Sequence, residues 1–227
     1  MAPLPGIRAC VFDAYGTVFD FAAAARGCTD ALGAQAPALT ALWRDKQLQY
    51  TWLRSMQGRY VDLWQITGDS LDYALETLGL AEPALRARLM DLYRTLAVFP
   101  EIPDMLRRLR AAGIRTAILS NGSPAMLASA VAGNHLAELL DAVISVDEVG
   151  VFKPDPRVYQ HALDRLGVAA TEVSFQSSNA WDAWAASAFG MRVVWCNRYA
   201  QRPERLPGRP DHEVTSLAAL PALVGAG

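Results

Sequence analysis

Five short apolar runs punctuate the chain: IRACVFD at 7–13, IRTAILS at 114–120, AVISV at 142–146, VSFQS at 173–177 and MRVVWC at 191–196. Apolar runs of this length, closed by turn residues, read as strands buried on both faces. Helical stretches separate the later runs. One runs from Pro103 to Ala112 into Gly113, and another from Pro156 to Leu166 into Gly167. A glycine just past the last helical turn marks a C-cap. Strand and helix in alternation predict an α/β fold, a Rossmann-like parallel sheet with helices on both faces.

Residues 18–97 follow a different pattern. Leu39, Leu42, Trp43, Tyr50, Leu53 and Met56 recur at about helical spacing, as do Leu63, Trp64, Leu71, Ala74, Leu75 and Leu78. No strand pattern interrupts them. The block sits between the first strand and the rest of the sheet, so it predicts an inserted all-helical cap subdomain at 18–97. The α/β core then comprises 1–17 and 98–227, with crossings near Val18–Phe21 and Ala97–Pro100. The Pro/Arg-rich QRPERLPGRP at 201–210 reads as a surface loop.

The 227 residues are 52% hydrophobic and 19% charged, a globular composition. The formal net charge of -2 offers no basic face, so no nucleic-acid partner is expected. The start, MAPLPGIRACVFD, lacks the basic and apolar regions of a signal peptide. No stretch approaches the roughly 20 apolar residues of a membrane span. The expectation is a soluble cytoplasmic protein with no membrane partner. Cys10, Cys28 and Cys196 are far apart and read as reduced thiols, and His135, His161 and His212 are scattered without zinc spacing.

In open parallel sheets, ligands bind beyond the carboxyl ends of the strands. The polar residues expected there are Asp13, Ser120-Asn121, Asp147 and Ser177-Ser178-Asn179. Asp13-Ala14-Tyr15-Gly16-Thr17 presents a carboxylate backed by a glycine turn, which suits either a nucleophile or an acid closing a loop. Leu119-Ser120-Asn121-Gly122, ahead of a helix starting at Pro124, suits either an anion site or an N-cap. Lys153, between Phe152 and Pro154-Asp155-Pro156, is either a fixed charge or a solvated lysine. Ser177-Ser178-Asn179-Ala180-Trp181-Asp182 is either a polar site with an aromatic wall or another N-cap with a core tryptophan.

Taken together and in this order, the four elements resemble the motifs of the haloacid dehalogenase superfamily, over Ile7 to Trp195. Two positions resemble the dehalogenase branch and not its magnesium-dependent phosphatases. Tyr15 stands where phosphatases place a second aspartate to protonate the leaving alkoxide, and Ser178 where they place an acidic metal ligand. A halide is a weak base and leaves without a proton. A halo acid carries one carboxylate, and Lys153 can offset its charge. DAYGT at 13–17, WRDKQLQYTWLR at 43–54, LSNG at 119–122 and SSNAWD at 177–182 look like signatures of the L-2-haloacid dehalogenases. Gln176, where an apolar residue is expected, and Ala185, where glycine is common, depart from that pattern.

The resemblance implies hydrolytic displacement of halide from short L-2-halo acids through an ester on Asp13, giving D-2-hydroxy acids, with no cofactor and no metal. It implies that Thr17 orients Asp13, that Lys153 with Tyr159 keeps it ionised, and that Ser120 and backbone N–H groups near Tyr15 hold the substrate carboxylate. Arg44, Asn121 and Trp181 would receive the halide. Asp182, aided by Asn179 and supported by Ser177 and Ser178, would activate the hydrolytic water. Leu48, Leu63 and Trp64 would line an apolar pocket. A homodimer through the cap helices is also implied. Two other functions stay open on the sequence: a phosphohydrolase with an atypical metal site, and a binding protein that has lost catalysis.

Overall fold

A computed structural model describes residues 2–21, 32–94 and 96–226. Six strands form one parallel sheet: β1 (Ala9–Phe12), β2 (Arg115–Ser120), β3 (Ala142–Ser145), β4 (Val173–Ser177), β5 (Arg192–Cys196) and β6 (His212–Val214), in the order β3-β2-β1-β4-β5-β6. The central strands are buried along their whole length: every residue of β1 and β4 is shielded from solvent. In β1 this goes with a continuous apolar run and no alternation; β4 alternates Val173 and Phe175 with the buried polar Ser174, Gln176 and Ser177. The five expected strands are present, each within a residue or two of its expected bounds. The sixth was not legible: His212-Glu213-Val214 is short, polar and at the sheet edge.

Eight helices accompany the sheet among the described residues: α1 (Ala36–Met56), α2 (Leu63–Thr77), α3 (Pro83–Arg94), α4 (Ile102–Ala111), α5 (Pro124–Gly133), α6 (Pro156–Leu166), α7 (Ala180–Phe189) and α8 (Leu220–Leu223). Proline stands in the first turn of α4, α5 and α6, where its missing N–H costs nothing. Gly167 ends α6 in the left-handed conformation expected of it. The segment 201–210 carries no regular structure and is almost wholly exposed.

Helices α1, α2 and α3 form the helical cap between β1 and β2. The chain segments entering and leaving it run side by side. Phe19 and Val98 form an antiparallel bridge, Asp20 N–H donates to the Ala97 carbonyl, and Phe99 N–H donates to that of Val18. The inward face of α1 is Leu39, Trp43, Gln47 and Thr51. Two residues of the expected apolar stripe, Leu53 and Met56, instead lie outside it, 47% and 75% exposed, because at 3.6 residues per turn they fall well round the helix from the row Leu39, Trp43, Gln47 and Thr51.

Candidate active site

The strand order reverses between β1 and β4, the position where open α/β sheets leave a crevice for ligands. Asp13 follows β1, Ser177 ends β4 and Ser178 and Asn179 follow it, so the crevice is flanked by two of the sequence motifs. The Asp13 N–H donates to the Gln176 carbonyl, which carries the strand pairing one residue further and fixes the carboxylate's base. Gln176 itself is buried, its Nε2 donating to Ser174 Oγ at 2.6 Å.

Asp13 is buried and surrounded by donors. Its Oδ2 accepts from Thr17 Oγ1 at 3.1 Å, Asn179 Nδ2 at 2.7 Å and Ser177 Oγ at 3.4 Å. Its Oδ1 accepts from Lys153 Nζ at 3.2 Å. Thr17 Oγ1 in turn accepts from the Ser178 N–H at 2.7 Å, locking the loop after β1 to the loop after β4. Lys153 is 1% exposed and donates also to Asp182 Oδ2 at 2.9 Å. Tyr159 donates to Asp182 Oδ1 at 2.7 Å. A charge this deeply buried needs partners. Burial alone pushes the Lys153 ammonium toward neutrality, but Asp13 and Asp182 outweigh it and hold its pKa above the usual lysine value. Burial also raises Asp182, against the pull of Lys153, and Asp13 raises it further. The Tyr15 and Tyr159 hydroxyls are likewise driven up, by burial first, then by Tyr93 and Asp13 beside Tyr15 and by Asp182 and Asp13 beside Tyr159.

Asn179 occupies the N-cap of α7 but does not cap it. Its side chain is committed elsewhere: Nδ2 to Asp13 and to the Tyr15 carbonyl at 3.3 Å, and Oδ1 to Arg44 Nη2 at 2.9 Å. Arg44 thus reaches from α1 across to the core. It does not pair with its neighbour Asp45; its second partner is Gln47 Oε1, at 2.7 Å. Ser120 Oγ accepts from the Gly122 N–H at 3.0 Å, and Asn121 Oδ1 accepts from the Lys153 N–H at 3.0 Å. Gly122 is required here by packing. A Cβ at that position would stand 2.8 Å from Tyr15 Cε2.

A pocket between cap and core is walled by Asp13, Tyr15, Ser120, Asn121, Asn179 and Trp181 from the core and by Arg44, Gln47, Leu48, Thr51 and Leu63 from the cap. The sequence-predicted residues fall into two groups. Asp13, Tyr15, Arg44, Ser120, Asn121, Asn179 and Trp181 face the pocket. Thr17, Lys153, Tyr159, Ser177 and Asp182 stand behind Asp13 as a buried charge and hydroxyl network. Leu48 and Leu63 line the pocket, but Trp64 does not; it lies under the Arg94 guanidinium, 4.3 Å from its carbon. Asp147 is not part of the cluster either: it accepts from the Tyr60 hydroxyl of the cap. Gln47, Thr51 and Tyr93 belong to the site and were missed. For Gln47 and Thr51 the signal was a polar residue at a core-facing position of α1, in the every-fourth-residue row that starts at Leu39 and Trp43; Tyr93, on α3, carried no such signal. Cys10 and Cys196 are buried free thiols, and Cys28 lies outside the described residues. Among the described residues, no three His, Cys, Asp or Glu side chains gather as a metal-binding cluster. No helix of theirs is long and apolar enough to cross a membrane.

A buried aspartate at the switch point, a lysine held between two carboxylates, and a helical cap inserted after β1 define one class of hydrolase. The chain belongs to the haloacid dehalogenase-like hydrolase family, whose model matches residues 7–190. It is 49% identical over 220 residues to (S)-2-haloacid dehalogenase 1 of Pseudomonas sp. strain CBS-3, covering 96% of both chains. It is 45% identical to (S)-2-haloacid dehalogenase 4A of Burkholderia cepacia, covering 94% of this chain and 93% of that one. Among solved structures it superposes on the L-2-haloacid dehalogenase of Xanthobacter autotrophicus with chloropropionic acid covalently bound. That match has a TM-score of 0.88 and 38% identity, over 96% of this chain and 98% of that one.

Proposed function

We propose that the protein is an (S)-2-haloacid dehalogenase, displacing halide from short L-2-haloalkanoic acids by hydrolysis and giving D-2-hydroxy acids. The observation that carries this is the setting of Asp13. Among the described residues its Oδ2 accepts from three donors, while Oδ1 accepts from Lys153 alone, leaving a lone pair free to attack carbon. Attack at C2, opposite the halogen, forms an ester on Asp13, expels halide and inverts the carbon. Tyr15 stands two residues after the nucleophile, stacked against Tyr93 with ring centres 5.6 Å apart. It offers an aromatic wall where a phosphate ester would need a proton donor, which favours a leaving group that needs none.

Arg44, Asn121 and Trp181 receive the halide: a guanidinium, an amide and an aromatic edge are each electropositive. Ser120 and the N–H groups after Tyr15 hold the substrate carboxylate. Thr17 and Ser177 fix Asp13, Lys153 faces it as counter-charge, and Tyr159 holds the Asp182 end of the same network. Leu48 and Leu63 meet the alkyl group, and the tightness of the pocket suits a short one. Asp182 activates the water that attacks the ester carbonyl, with Asn179 at the oxyanion side and Ser178 supporting the loop; the raised pKa of Asp182 suits a base. A second reading of Asp182 is favoured by its position: both its oxygens are occupied, so it also serves as the counter-charge that holds Lys153.

The cap boundaries at 18–97, a cytoplasmic location and a homodimer through the cap helices belong to the same proposal. Leu53, Met56 and Tyr73, exposed on α1 and α2, support the homodimer. The deciding experiment is chloride release from the separate L and D enantiomers of 2-chloropropionate with EDTA present. Release from the L form alone is expected. No release from either, with magnesium-dependent cleavage of p-nitrophenyl phosphate, would replace this reading by a phosphohydrolase.

A further inference from the structure

A glutamine on the inward face of α1 needs a reason, because a buried amide without partners is costly. Gln47 is 2% exposed and fully engaged. Its Oε1 accepts from Arg44 Nη1 at 2.7 Å, and its Nε2 donates to Thr67 Oγ1 at 2.7 Å and to the Tyr93 hydroxyl at 3.1 Å. These partners are themselves fixed. Thr67 Oγ1 donates to the Leu63 carbonyl at 2.7 Å, and the Tyr93 ring stacks on Tyr15 at 29°. The amide is therefore anchored by α2 and α3 before it meets the guanidinium.

We propose that Gln47 is a positioning residue for Arg44, setting with Asn179 the orientation in which the guanidinium receives the departing halide. This rests on the halide-receiving reading of Arg44 given above. The chemistry of the partners is the point. Among the described residues, Arg44 donates to two neutral amide oxygens, those of Gln47 and Asn179. An amide carbonyl orients a guanidinium without cancelling its charge. A carboxylate in the same place would orient it equally well and pair with it, spending the field that the halide needs. The two amides occupy one N–H on each terminal nitrogen, so the remaining N–H groups stay available in a fixed plane. Tyr93 completes the arrangement, since it binds Gln47 and stacks on the wall of the same pocket.

The test uses the full-length enzyme with L-2-chloropropionate, measuring inhibition by chloride and by bromide at constant ionic strength. Gln47→Glu keeps the shape and adds the cancelling charge, and Gln47→Met keeps the bulk and removes both hydrogen-bonding ends. Circular dichroism establishes that each variant is folded, and Tyr93→Phe, which removes one anchor of the amide, serves as the further variant. Arg44→Lys provides the reference for a disrupted halide site. The expected result is that Gln47→Glu raises both halide inhibition constants by about tenfold or more. Gln47→Met and Tyr93→Phe are expected to raise them by less. A role in packing alone would lower the melting temperature and leave halide inhibition unchanged. That outcome, with Arg44→Lys still weakening inhibition, overturns the proposal. A wild-type enzyme that releases halide but is indifferent to it in all variants, including Arg44→Lys, overturns the reading of Arg44 and this inference with it.

Discussion

Replacing Lys153 by methionine tests the electrostatic logic of the site more sharply than removing the nucleophile. The variant keeps a similar volume and deletes a charge that is 1% exposed and bonded to Asp13 at 3.2 Å and Asp182 at 2.9 Å. Two carboxylates are then left facing one another without a counter-ion. Removing one partner of a buried ion pair costs about 3–5 kcal/mol. For a chain of this length each kcal/mol moves the melting temperature by about 2–4 °C, so a drop of about 6–20 °C is expected. The loss should depend on pH in a defined direction. One of the stranded carboxyls acquires a folded pKa above its unfolded value of about 3.9. A group raised in this way contributes stability below its unfolded pKa and loses it as pH rises through the folded one. The deficit against wild type is therefore smaller near about pH 5 than near about pH 8. Activity should fall by at least about 10²–10³-fold, the range for losing a fixed stabilising charge. Thermal unfolding by circular dichroism at the two pH values, with halide release in parallel, measures both. A variant that melts with wild type at the higher pH, or keeps a tenth of its activity, would refute the assignment of Lys153 as counter-charge to Asp13.

Asp182→Asn, mixed with excess L-2-chloropropionate, is expected to accumulate a mass adduct on the Asp13 peptide, because ester formation outruns hydrolysis when the base is lost. Absence of adduct would mean that Asp182 acts only by holding Lys153. Gly122→Ala is expected to lower kcat/KM by at least about tenfold with little loss of fold, since its Cβ, 2.8 Å from Tyr15 Cε2, displaces that ring from the pocket wall. Near-UV circular dichroism and kinetics of the purified variant decide this.

Much of the fold was legible because burial on both faces leaves a plain signature. The runs at 7–13 and 114–120 hold unbroken apolar stretches at Ala9–Phe12 and Ala117–Leu119, and each is an inner strand; 173–177 is one too, although buried Ser174 and Gln176 interrupt its apolar residues. His212-Glu213-Val214 is a strand only because β5 offers it an open edge, and no local pattern carries that information. The site was legible where chemistry concentrates at strand ends, as in Asp13 and Ser177 to Asp182. It was illegible where a residue acts through tertiary neighbours. Gln47 is unremarkable in WRDKQLQY until α2 and α3 close over it. Asp147 had the right position at a strand end, yet the cap's Tyr60 claims it. Trp64 carried the right periodicity but points to Arg94, because neighbouring positions on a helix differ by about 100° in direction.

The bridge between Phe19 and Val98 bears on how such a protein can change over time. The helical insert begins and ends at one spot, so the sheet experiences it as a closed excursion whose ends already meet. Lengthening a flexible excursion of this kind costs only about 0.6 kcal/mol per doubling. The cap side of the pocket, with Leu48 and Leu63, can therefore be rebuilt, extended or exchanged while the strand register that holds Asp13 stays as it is.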